Sequence, residues 1–140
     1  MAPCLAPVIL AGYLLTIQTS WHHTTNFDSP MLEAQTCETG AALNLRVAAS
    51  GVSSLGVQYG WQMARGEWSL TLQPLVGVGL IDRHIRELSS EVNFSLGAQV
   101  MAGYESYRLS FGYWHVSNAG LGSKDGGLDL LALQTGFSFH

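Results

Sequence analysis

Residues 55–63 read Leu-Gly-Val-Gln-Tyr-Gly-Trp-Gln-Met, a strict alternation of apolar and small or polar side chains. Successive side chains of a strand point to opposite faces. Leu55, Val57, Tyr59, Trp61 and Met63 therefore share one face, and Gly56, Gln58, Gly60 and Gln62 the other. The same period recurs along the chain. In 91–102, Val92, Phe94, Leu96, Ala98 and Val100 oppose Glu91, Asn93, Ser95, Gly97 and Gln99. In 68–78, Trp68, Leu70, Leu72, Val76 and Val78 oppose Ser69, Thr71, Gln73 and Gly77. Segments 13–22 and 41–49 behave likewise, and each run is a half-buried strand of about ten residues.

A soluble sandwich also alternates, with its apolar face turned inward. Two details favour a membrane barrel instead. The polar faces consist of Gly, Gln, Ser, Thr and Asn, which suit a narrow hydrogen-bonded lumen better than a water-facing surface. The apolar faces carry Trp61, Trp68, Tyr104, Tyr107 and Tyr113 near their ends, as interfacial girdles require. Strand length is also near the ~9–11 residues that a tilted membrane strand needs. The fold expected is thus an all-β, antiparallel transmembrane β-barrel of eight strands. Pro74 cannot donate a ladder hydrogen bond, so it predicts a bulge or local irregularity in its strand.

Composition agrees. With 140 residues there is room for one barrel domain over 1–140. Only 11% of residues are charged and 47% are apolar, against roughly 25% charged in ordinary soluble domains. The net charge of −4 with six Lys and Arg excludes a nucleic-acid surface. The longest apolar stretch, residues 5–17, falls short of the ~20 residues of a spanning helix. Residues 8–15 resemble the apolar core of a signal peptide, but no Lys or Arg precedes them and no Ala-x-Ala site follows. Residues 1–11 are therefore read either as a signal remnant or as an irregular first strand. Cys4 and Cys37 fit no metal spacing and no Cys-x-x-Cys motif; an oxidising compartment permits a disulfide between them, yet incidental cysteines are the simpler reading.

Seven strands are visible, at 12–23, 41–49, 54–63, 67–79, 91–103, 106–117 and 128–139. Bacterial barrels have even numbers of strands with both termini on the periplasmic side, so an eighth must come from residues 2–10 or be missing or displaced. Counting back from the C-terminus, the tight connection at 103–106 is periplasmic and the charged stretch Asp82 to Glu87 is an extracellular loop.

Residues 113–129 carry the chemistry. His115 and Ser117 lie two apart on one strand, hence on one face, and Asp129 opens the next strand. That sets a candidate base beside a candidate nucleophile, with a carboxylate as third member. All three share the parity of the apolar wall, which places them at the extracellular rim and facing lipid. Polar groups facing hydrocarbon are costly unless satisfied, and an outer-leaflet lipid is the substrate such a site can reach. A His-x-Ser-Asn at a strand end is also common by chance. His23-Thr24-Thr25-Asn26, with Glu38 downstream, repeats the form. Strand 12–23 is expected to run inward, which would leave that copy at the periplasmic end as an ordinary strand end. His22, His84 and His140 show no ligand spacing. Arg83 and Arg86 could meet lipid phosphates, with a solvated loop as the plainer reading.

His115-Val116-Ser117-Asn118-Ala119-Gly120-Leu121, followed by Asp125-Gly126-Gly127-Leu128-Asp129, resembles the signature of the outer-membrane lipid A 3-O-deacylases (PagL family). The resemblance covers roughly the C-terminal 85 residues. It implies an eight-stranded barrel in the bacterial outer membrane that hydrolyses an ester-linked acyl chain of lipid A, with lipopolysaccharide as partner and no metal or cofactor. It implies Ser117 as nucleophile, His115 as base and acid, and Asp129 as the acidic member. Asn118, and the backbone N–H of Gly127, would stabilise the oxyanion. Two positions depart from the family's His-x-Ser-Asn, then Asn-x-Gly-x-Glu pattern. Asp129 is one methylene shorter than the family's glutamate, so its reach to His115 depends on how close the strands bring it. Asp125 replaces an asparagine, losing a donor and adding negative charge beside the oxyanion. The contrasting expectations are a non-catalytic or degenerate small barrel with a structural or lipid-binding role, and a soluble β-sandwich esterase.

Overall fold

The computed structural model describes residues 6–19, 28–81, 92–117 and 127–139. Eight strands form a closed antiparallel barrel in which each strand pairs with its neighbours in sequence. They are β1 (Val8–Thr19), β2 (Ser29–Gln35), β3 (Gly40–Ala48), β4 (Val52–Arg65), β5 (Trp68–Ile81), β6 (Val92–Tyr104), β7 (Tyr107–Ser117) and β8 (Gly127–Ser138). β1 closes the barrel against β8. Turns at 36–39, 66–67 and 105–106 form the lower rim. β5 and β7 end, and β6 and β8 begin, at the upper rim, where the connections 82–91 and 118–126 are longer.

Two expectations about the first third of the chain are corrected. The eighth strand is Ser29–Gln35, not residues 2–10, and the first strand is Val8–Thr19, not 12–23. β2 is only seven residues long, contains Pro30, and turns Met31, Glu33 and Gln35 inward, a mixture that reads as a loop. At the start of β1, Val8 and Leu10 face the lumen beside Met101 while Ile9 faces out. With both faces apolar, that stretch shows no alternation and looks like a leader. The added strand also reverses the direction assigned to the first one. β1 runs upward, and Thr19 ends opposite Leu128 at the upper rim.

The outer wall is apolar and the lumen largely polar, the inverse of a soluble protein and the distribution of a membrane barrel. Leu55, Val57, Tyr59, Trp61 and Met63 are all exposed, as are Phe94, Leu96 and Val100. Gln58, Gln73, Gln99, Asn44 and Ser110 are buried inside. Trp68 packs at a tilt against Tyr104, and Tyr107 against Phe137, beside the lower turns, at 4.6 and 5.3 Å between ring centroids. Near Pro74 the β4–β5 pairing is interrupted between Gln58↔Leu75 and Trp61↔Leu72, the irregularity the proline predicts.

The lumen is filled in three layers. Around mid-height Glu33 and Arg46, direct partners on β2 and β3, form an ion pair at 3.0 Å with no exposure on either side chain. The second Glu33 oxygen accepts from Asn44 (2.9 Å) and Gln99 (2.7 Å). Below, the Arg108 Nε donates to both Glu38 oxygens at 3.0 and 2.9 Å, and its Nη1 donates to the Glu105 carbonyl. Above, Leu14, Met31, Val52, Trp114, Val116 and Leu130 make an apolar cluster. Cys37, buried between β2 and β3, is disulfide-bonded. That corrects the reading of the cysteines as incidental; Cys4, the other cysteine of the sequence, lies outside the described residues.

Glycine closes the β1–β8 seam. A Cβ at Gly12 would stand 1.9 Å from the Leu133 carbonyl oxygen, and one at Gly136 would stand 1.9 Å from that of Ile9. Both obstacles are backbone, so the strands themselves would have to part. Gly12→Ala is expected to lower barrel stability by about 1–3 kcal/mol, read as a lower denaturant midpoint in lipid or detergent.

Candidate active site

β7 ends and β8 begins at the upper rim, and their register makes His115 the direct partner of Asp129. On that register a short carboxylate suffices. The His115 Nδ1 lies 2.7 Å from the Asp129 Oδ1, so the loss of one methylene relative to glutamate does not break the contact. A carboxylate only accepts hydrogen bonds, so the ring nitrogen facing it, Nδ1, is the donor of this contact. The His115 and Asp129 side chains are 33% and 25% exposed, so the pair is half-buried in the outer wall. It lies on the face that carries Tyr107, Leu109 and Phe111, as strand parity predicts.

Ser117 is the last residue of β7 and pairs with Gly127, the first residue of β8. Position 117 is two residues beyond His115 on the same strand. Asn118 and Asp125 lie outside the described residues, as do Arg83, Arg86, His22, His84, His140, the stretch Asp82 to Glu87 and the tetrad beginning at His23. The described residues thus bring together His115 and Asp129 and set Ser117 opposite Gly127 in register. Glu38, the acid associated with the repeated tetrad, is committed to Arg108 at the lower rim. The described strand ends that flank residues 20–28, Thr19 of β1 and Ser29 of β2, are at the upper rim, the opposite end from Glu38.

Tyr113 is the residue that sequence reasoning missed. It reads as a girdle aromatic, yet its hydroxyl donates to the Asp129 Oδ1, the same oxygen that holds His115. A phenol two residues before the histidine, on the same face, was the available signal. Beneath the site, the buried Trp114 donates from Nε1 to the Ser95 Oγ at 2.7 Å. Its ring lies 5.4 Å from the Arg46 guanidinium carbon, so the backbone bearing His115 is anchored in the lumen.

A family model described as Lipid A 3-O-deacylase (PagL) matches residues 10–138. The structure is similar to the crystal structure of the outer membrane enzyme PagL, at 17% identity and a TM-score of 0.67, over 94% of this chain and 99% of that chain. It is also similar to Neisserial surface protein A (NspA), at 12% identity and a TM-score of 0.59, over 96% of each chain. No curated protein sequence matches it. At these identities the structural likeness concerns the fold, an eight-stranded barrel.

Proposed function

This chain belongs to the lipid A 3-O-deacylase (PagL) family, and on that premise we propose that it is an outer-membrane serine esterase that hydrolyses the 3-O-linked acyl chain of lipid A. The observation that carries the reading is the His115–Asp129 pair on the outer wall. A base oriented by a carboxylate, placed outside the lumen on a strand that ends in serine, serves a substrate lying against the wall. The long connections at that rim are those of an extracellular face, which would put the site level with the outer leaflet. The disulfide-bonded Cys37 fits an oxidising cell-envelope compartment.

In this reading Ser117 Oγ attacks the ester carbonyl carbon as His115 Nε2 takes its proton. The tetrahedral intermediate collapses with cleavage of the bond to the sugar oxygen, which leaves with the proton from His115. Water, deprotonated by His115, then hydrolyses the acyl-Ser117 ester and releases a fatty acid. Asp129 keeps the imidazole in the Nδ1–H tautomer and stabilises the imidazolium. Asn118 and the Gly127 N–H serve the oxyanion, while Asp125 gives no donor when ionised. The test is incubation of the barrel, reconstituted in lipid A vesicles, with mass spectrometry of the lipid. Loss of one 3-hydroxyacyl group from the 3-position is expected. A lipid A spectrum unchanged after prolonged incubation would leave the non-catalytic barrel as the surviving reading.

A further inference from the structure

We propose that Tyr113 is a positioning residue of this site, holding Asp129 in the conformation that orients His115; the inference rests on the esterase reading above. On β7 and β8 the partner of Tyr113 is Leu131 and the partner of His115 is Asp129, so Asp129 is the diagonal neighbour of Tyr113. Such diagonals are about 7–8 Å apart between backbones, within reach of an aromatic side chain. Tyr113 uses that reach to place its hydroxyl on the Asp129 Oδ1. Other outward aromatics behave differently: Tyr59, Tyr104 and Tyr107 meet neighbouring rings.

Asp129 needs such a tether on two counts. On its other side the β1–β8 register shifts between Thr16 and Gln18, and Gln18 is the β1 partner of Asp129. The carboxylate therefore sits beside an irregular ladder, and among the described residues the hydrogen bonds it accepts come from β7. It also lies in an apolar wall, where an oxygen with several acceptor sites and one donor would be poorly satisfied. The phenol supplies a second donor to the same oxygen and restricts rotation of the carboxylate about its side-chain bonds. The short Asp129 is thus clamped between two β7 side chains, two residues apart, on one face of one strand.

The experiment is a double-mutant cycle on the full-length barrel in lipid A vesicles. Tyr113→Phe is expected to lower kcat roughly tenfold with KM within about twofold, the loss of one hydrogen bond to a charged group. In an Asp129→Ala background the same substitution is expected to have no further effect, because the group it positions is gone. Tyr107→Phe, on the same face at the far end of β7, is expected to leave kcat unchanged. The inference is overturned if Tyr113→Phe keeps wild-type kcat, raises KM alone, or costs the same factor in both backgrounds. A wild-type protein that releases no acyl chain would instead overturn the esterase reading and this inference with it. Retained wild-type activity with an indifferent Tyr113→Phe removes only the role of Tyr113.

Discussion

Ser117→Ala is expected to abolish acyl release, lowering kcat on the order of 10⁴-fold or more while the barrel still folds. Alanine has no oxygen to form the acyl-enzyme, and the remaining His115–Asp129 pair can at best assist a direct attack by water. Residual catalysis of that kind is what oxyanion stabilisation and binding alone leave in serine hydrolases. Folding should be untouched, because position 117 is the last residue of β7, opposite Gly127, and the buried ion pairs are Glu33–Arg46 and Glu38–Arg108. Asp129→Asn should cost nearly as much, roughly 10³–10⁴-fold, since a carboxamide can donate to His115 and stabilise the wrong tautomer. The two variants separate the chemistry. Mass spectrometry of lipid A after matched incubations reads both, and undiminished acyl release by Ser117→Ala would exclude it as the nucleophile.

How much of the fold and the site is legible in the sequence follows from where each residue's partner lies in the chain. Alternation in β3 to β8 is local, so the polarity of Leu55 against Gly56 or Phe94 against Ser95 announces wall and lumen without knowledge of any neighbour. The shared outward face of His115 and Asp129 is legible for the same reason, parity on two adjacent strands. β2 is not. Glu33 in a strand interior is tolerable only because Arg46 of β3 stands directly opposite and amides of β3 and β6 complete its shell. Those partners lie up to 66 residues away, and no window around Glu33 contains them all. β1 failed differently: Val8 and Leu10 find apolar company in Met101 inside the lumen, so the segment has no polar face to betray its period. Tyr113 escaped because an outward aromatic on a membrane strand already has an explanation. Only the register, which makes Asp129 its diagonal neighbour, reveals a second use.

The same buried pair predicts the largest structural effect. Glu33→Ala leaves the Arg46 guanidinium in the lumen with its charge uncompensated, and Nη1 and Nη2 already have no hydrogen-bond partner among the described residues. Removing one member of a buried ion pair costs about 3–5 kcal/mol, a large share of the roughly 5–15 kcal/mol by which a domain is stable. The folded fraction in detergent or lipid is therefore expected to fall sharply, with a denaturant midpoint well below wild type. Arg46→Met in the Glu33→Ala background should recover much of that loss, because an apolar side chain of similar length needs no partner and still packs under Trp114. Recovery would show that the cost lay in the orphaned charge. A midpoint no higher in the double variant would show instead that the Glu33 carboxylate matters as the acceptor for Asn44 and Gln99. Arg46 also stands against Trp114, directly beneath the strand that bears His115. A double variant that regains stability but not acyl release would locate the remaining defect in that support.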